Sequence, residues 1–383
     1  MYRSETGQPN PNRKRLVILA HMTTEALLGR LIEHHTENPG GDELAICEFL
    51  RHELTTRGAD EVAISTVPRP KGDDIGAYIF ARFGTPELLV NVHIDTVPAN
   101  TGWTQDPWTP SITTDKVTGL GAADTKGAIA AILTALETRS PHNVGFLFSG
   151  DEERGTSCIR DFLSSQQARD IERAIVCEPT DRYAGVRHRG VSGYQARFQG
   201  QGGHSSNADH MPKPVATLAR LAVKLDDLGQ RYVSQGPDDM KGICMNVAGL
   251  DGGVAFNVVP DAATLTWSIR PPHGFDQHRF DQEIELAIHN VNPDITPTRL
   301  LHNPPFSTIH LPKFEQVLGS HIRGFIPLQF WTEAAMLSEA GINAIVLGPG
   351  NIEQAHGADE WVSREDLKWA VALFTHIFES TQA

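Results

Sequence analysis

Four apolar stretches constrain this chain most: ELLVNVHID (87–95), VGFLFSG (144–150), RAIVCEP (173–179) and INAIVLGPG (342–350). Each reads as a strand buried on both faces, the type found at the centre of parallel sheets. Helical patterns stand between and around them. TTEALLGRLIEHHT (23–36) has Leu27, Leu28, Leu31 and Ile32 at helical spacing with threonine as the cap, and ELAICEFLRHEL (43–54), DTKGAIAAILTALET (124–138) and REDLKWAVALFTHIFE (364–379) follow suit. Strands alternating with helices predict an α/β fold, a mostly parallel sheet covered by helices on both faces.

The texture changes after about residue 185. GYQARFQGQ (193–201) alternates like a half-exposed strand, and PVATLARLAVKLDDL (214–228) is an amphipathic helix. GICMNVAGLDGG (242–253), VAFNVVP (254–260) and ATLTWSIR (263–270) read as antiparallel strands, and FDQEIELAIHNV (280–291) as a second helix. This predicts a small α+β sandwich over 186–296, inserted into an outer domain made of 1–185 and 297–383.

The chain has 383 residues, enough for two domains, and a formal net charge of -14. So acidic a chain argues against nucleic acid and against anionic membrane surfaces as partners. The five-residue run LVILA after Arg13–Arg15 is too short for a secretory signal, and no later run is long enough to span a bilayer. The first dozen residues read as a disordered tail. Cys47, Cys158, Cys177 and Cys244 form no CxxC pair and sit beside apolar residues, which predicts buried free thiols in a reducing cytoplasm.

The chemistry sits where the strands end. His93 and Asp95 are two apart on one strand face, so a carboxylate lies near a histidine that could ligate a metal; a core histidine with an incidental aspartate fits as well. Asp124, in GLGAADTKGA, lies where a glycine-rich turn meets a helix. It reads as an N-cap or as a carboxylate bridging two metals. The same turn fails as a dinucleotide fingerprint, because Asp124 takes the third glycine's place, and as a phosphate loop, because Lys126 precedes Gly127. Asp151, Glu152 and Glu153 crowd together after a strand, which costs free energy unless a cation or shared protons offset the repulsion. They read as a solvated acidic turn or as a ligand next to a base. Glu178 ends another strand, and His356 lies in the loop after a fourth. Ligands of open α/β sheets bind at the carboxyl ends of strands. Two histidines and three carboxylates suit two zinc ions, and that set would leave the site net positive.

The ordered set HIDTVP, GAADTKG, SGDEERG, CEPT and AHGADE resembles the M20 metallopeptidase family, over about residues 22 to 378. The resemblance implies that His93 and Glu178 hold one Zn2+, that Glu153 and His356 hold the other, and that Asp124 bridges them, with Co2+ or Mn2+ able to substitute. It further implies that Asp95 orients His93, that Glu152 is the general base, and that the peptide after Asp124 is cis. The insertion becomes a lid and dimer interface. In a homodimer, His204 of GQGGHSS would reach the partner's site and stabilise the oxyanion. FNVVP and WSIR match a carboxylate-binding signature, which makes Asn257 and Arg270 candidate substrate binders. FWTEA, with Thr332 and Glu333, and GPGNIEQAH are similar to the deacetylases of acetylornithine and acetylcitrulline, which makes Thr332 and Glu333 candidates for substrate contact, with support of the zinc shell as the equal alternative for Glu333. The expected activity is therefore hydrolysis of the acetyl group from a small amino acid in arginine biosynthesis, with a small acylated amino acid as the partner molecule. Desuccinylases, dipeptidases and a non-catalytic metal-binding dimer are the rivals.

Overall fold

In a computed structural model, residues 22–69 and 75–381 are described. The tail and the LVILA run lie outside them. The outer domain is built on a nine-stranded mixed sheet. Its centre is four parallel strands in the order Val144–Ser149, Leu88–His93, Arg173–Val176, Asn343–Val346. Antiparallel strands flank them: Ile75–Phe83 and Glu61–Pro68 on one side, Ala184–His188 on the other.

The strands alternate as their sequence demands. Ala77, Ile79, Ala81 and Phe83 pack under the helices Thr24–Ile32, Glu43–Thr56, Gly127–Thr138 and Arg364–Ser380. Tyr78 and Phe80 pack on the opposite face with Cys158, Phe162 and Leu337. The helices start where cap residues stop the ladder of unpaired N–H groups. Thr23, Asp42 and Ser363 accept from Ala26, Ala45 and Asp366 at 3.3, 2.9 and 2.9 Å. Truncating a fully buried leucine here, such as Leu50, would cost about 2–5 kcal/mol.

The inserted domain is a four-stranded antiparallel sheet in the order Asn246–Gly252, Ala262–Ile269, Val191–Gln199, Thr296–Asn303. Helices Pro214–Gln230 and Gln277–Val291 bury Leu218, Leu221, Leu225, Phe280 and Ile284 against Leu265 and Trp267. Three expectations change. Residues 186–188 pair with the outer sheet, and 296–303 forms the insertion's fourth strand, so by pairing the insertion runs from 191 to 303. VAFNVVP contributes only the two-residue strand Val258–Val259, paired with Gly203–His204, because residues 254–257 form an exposed turn with little to pack against. Cys47, Cys158 and Cys177 are buried free thiols, whereas Cys244 is exposed. No helix among the described residues is long and apolar enough to cross a membrane.

Candidate metal centre and active site

The parallel centre of the sheet brings the sequence motifs to one edge. His93 is the last residue of its strand; Asp151–Glu153, Glu178 and the loop bearing His356 follow the ends of three neighbouring strands. Asp124 stands in the turn before helix Gly127–Thr138, where its peptide to Thr125 is cis.

Asp124 lies between the two histidines. One of its oxygens is 2.9 Å from His93 Nε2, and the other is 3.3 Å from His356 Nε2. Glu178 lies 3.8 Å from His93 Nε2, and Glu153 lies 3.1 Å from His356 Nε2. Donors around one tetrahedral zinc, bonded at about 2.0–2.1 Å, stand about 3.3 Å apart. The Asp124 carboxylate thus stands at that spacing from both histidines, with Glu178 on the His93 side and Glu153 on the His356 side. Donor atoms of His93, Asp124 and Glu153 all fall within 4.8 Å of one another.

The protonation pattern describes the same cluster. Burial pushes Glu152 and Glu178 well above the ordinary carboxyl range, and neighbouring carboxylates add to the push. Hydrogen bonds to Asp124 and Glu153 lift His356 to about 10. His93 is likewise raised despite its burial, chiefly by Asp124 and Asp95. Against burial, the two histidines hold Asp124 down. The cluster therefore balances its carboxylates with protons on imidazoles, and divalent cations can take over that role. The donor set, nitrogen and carboxylate oxygen, suits zinc-like ions.

The surrounding residues fix these groups. His93 Nδ1 lies 2.9 Å from the Asp95 backbone carbonyl and 3.6 Å from its carboxylate. The Asp95 carboxylate instead accepts from the Glu152 and Glu153 backbone N–H groups at 3.1 and 3.2 Å, and from Asn38 at 3.0 Å. It thereby fixes the backbone of Glu152 and Glu153 together. Asp151 and His356 have left-handed φ of 61° and 58°, unfavourable for side-chain-bearing residues. Asp151 is held there by Asn38, Arg69, Glu43 and Ser157. Glu360 accepts from the N–H groups of Gly121, Ala123 and Asp124 at 2.8, 2.8 and 3.0 Å, which pins the turn that carries Asp124. Lys126, 1% exposed, anchors the same turn by donating to the His34 carbonyl. Asn38 and Lys126 were missed in the sequence, and Glu360 went unused although it stands in the AHGADE motif.

A cavity of about 410 Å³ opens over Asp124, Glu152, Glu153, Glu178 and His356, and Arg270 also lines it. Thr332 and Glu333 do not. Thr332 is 0% exposed, 3.0 Å from His188 Nε2; Glu333 is 1% exposed and accepts from Asn91 and Ser149, both at 2.6 Å. Gln329, Phe330 and Trp331, just before them, form the wall; the chain then turns inward, so Thr332 and Glu333 lie beneath it, with Glu333 held by Asn91 and Ser149 of the strands that end at the cluster. His204 and Asn257 are exposed on the insertion and outside this cavity; His204 Nδ1 is 2.8 Å from Ser206 Oγ.

Known proteins complete the assignment. N-acetyl-L-citrulline deacetylase of Xanthomonas campestris is 32% identical over 79% of this chain and 84% of its own. Acetylornithine deacetylase of Proteus mirabilis is 30% identical over 88% and 89%. The crystal structure of an M20 family metallo-carboxypeptidase from Sulfolobus solfataricus superposes with a TM-score of 0.72 at 16% identity, covering 94% of this chain and 99% of that one. The model of peptidase family M20/M25/M40 matches residues 89–380, and with the shared fold and the strand-end cluster this chain belongs to that family.

Proposed function

We propose that this chain removes the acetyl group from the α-amine of N-acetylornithine or N-acetylcitrulline in arginine biosynthesis, as a cytoplasmic homodimer with two zinc ions per subunit. That it is an amide hydrolase follows from its family; the substrate reading rests on the relatives' activities and on FWTEA and GPGNIEQAH. The observation that carries the chemistry is Asp124 shared between His93 and His356, with Glu152 lining the same cavity.

His93, Asp124 and Glu178 would hold one ion; Asp124, Glu153 and His356 the other. Bound there, two divalent cations supply Lewis acidity to the acyl carbonyl and make water a nucleophile at neutral pH. Glu152 takes the proton of the attacking water and delivers it to the leaving amine. Its raised pKa suits it to both transfers. Arg270 holds the α-carboxylate, for which a planar guanidinium is well matched. Asn257 joins Arg270 in binding that carboxylate, and His204 of the partner subunit donates to the oxyanion, in keeping with its exposure outside this subunit's own cavity. Acetate and the free amino acid leave.

The test is to load the protein with zinc, cobalt or manganese, count ions per subunit, and compare kcat/KM for acetylornithine, acetylcitrulline, succinyl-diaminopimelate and a dipeptide. Two ions per subunit and an acetylated amino acid as the best substrate are expected. One ion at saturation sinks the two-metal reading, and a better rate on either of the last two sinks the substrate reading.

A further inference from the structure

We propose that Arg154 is a specificity-determining residue of this site, turning away acyl amino acids whose side chain ends in a cation and favouring those that end in a hydrogen-bond acceptor. The inference rests on the acetyl-amino-acid reading above and sharpens it.

The argument is one of elimination among charges. Four carboxylates line the cavity, and all are committed: Asp124, Glu153 and Glu178 to metal, Glu152 to proton transfer. Glu333, the nearby carboxyl suited to greet a cation, is sealed beneath the floor. The cationic groups left facing the cavity are the guanidiniums of Arg154 and Arg270. If Arg270 takes the α-carboxylate, Arg154 is left without an assigned partner, and no ion pair holds it among the described residues. Arg187, Arg299 and Arg323 each meet an aspartate.

Position supports the same role. Arg154 follows Glu152 by two residues, so its Cα lies within about 7.6 Å of that of the base. Its backbone leaves the stretch that Asp95 holds through the Glu152 and Glu153 N–H groups. Arg154, Gly155 and Leu301 are also shared with a second cavity of about 260 Å³, in which Arg160 is a further cation. A side chain extending from the reacting amide toward that second cavity thus meets guanidinium first; Asp151 also lines that cavity, but it is 3% exposed and its carboxylate is taken by Asn38, Ser157 and Arg69. An ammonium there faces like charge, and the one carboxylate lining that cavity is already paired with Arg69; a ureido or amide oxygen accepts from the guanidinium, and Asn303 and Gln329 offer neutral partners nearby.

The experiment measures kcat/KM of metal-loaded, full-length protein for acetylcitrulline, acetylornithine and acetylnorvaline, in the natural chain and in Arg154→Gln and Arg154→Glu. Expected is a preference for acetylcitrulline over acetylornithine of at least about tenfold. Arg154→Glu moves that ratio at least about tenfold toward acetylornithine, mainly through KM, and Arg154→Gln falls between. A merely structural arginine would lower all rates together and leave the ratio unmoved. That result, or a natural preference for acetylornithine, overturns the inference. If acetylnorvaline is cleaved but the charge at 154 leaves the ratio flat, only this inference falls. If none of the three is cleaved, it falls together with the reading beneath it.

Discussion

The two domains treat their functional groups in opposite ways. In the outer domain, His93, Asp124 and Glu178 are 2, 6 and 5% exposed, and their backbones are bound on several sides. In the insertion, His204 and Asn257 stand in the open beside Val254 and Phe256, which are 91 and 100% exposed. The first region is pre-organised within a single chain, the arrangement that electrostatic catalysis needs. The second leaves such groups largely uncovered by its own chain, with the His204 ring held only by its near neighbour Ser206. The difference teaches that the chain carries a finished metal centre and an unfinished substrate enclosure.

The sharpest way to break this contrast is at the base. Glu152→Gln is expected to retain its metal ions, counted by elemental analysis, and to lose about 10²–10⁴-fold in kcat. Near-normal turnover would remove Glu152 from the finished half. Next comes the exposed half. His204→Ala should lower kcat by about 10²–10³-fold, the effect of deleting one oxyanion donor. When that variant is mixed with Glu152→Gln under conditions that exchange subunits, activity should rise above either parent, since one site becomes whole. No rise would mean that His204 serves its own subunit or none. A smaller effect is expected beneath the centre: Glu360→Gln replaces a carboxylate that accepts three N–H groups with an amide whose nitrogen cannot accept, and metal affinity should fall about 10–100-fold by competition with a chelator. Unchanged affinity would show that the turn holds itself.

The smallest effect is one of pH. His356 is raised from 6.5 to about 10 by its carboxylate partners. In the metal-free protein, that contribution to stability is fully present below about pH 6.5 and is lost as pH climbs through about 10. The melting temperature of metal-free protein should therefore fall relative to that of loaded protein across this window. Metal binding near neutral pH should also release protons, read by calorimetry in buffers of differing ionisation heat. A binding heat independent of buffer would contradict it.

The finished half was also the legible half. Parallel strands buried on both faces have a strong signature, and parallel strands necessarily put their ends on one edge, so His93, Glu178 and His356 could be gathered from their places after apolar runs. Asp95 was found for a partly different reason: its carboxylate serves the Glu152–Glu153 backbone more directly than the His93 ring. Asn38 and Lys126 act through backbone and buried hydrogen bonds that leave no pattern in the sequence. Thr332 and Glu333 came forward because they stand in FWTEA; both are buried beneath the wall, since burial is decided by how the chain turns after Trp331, which a motif does not encode. The strand Thr296–Asn303 was assigned to the outer domain because its residues are mostly exposed and lack a clean apolar alternation.

The hold of Glu360 on the turn at Asp124 also orders events in time. These two residues are 236 positions apart. A ribosome adding 5–20 residues per second needs roughly 12–50 s to travel between them. From the synthesis of Glu178 onward, the nascent chain carries His93, Asp124, Glu153 and Glu178 without the residue that pins the turn, and until almost the end of the interval without His356. Capture of metal in its final form therefore waits for His356 and Glu360 to emerge, and a chain truncated before His356 would carry most of the cluster without the means to complete it.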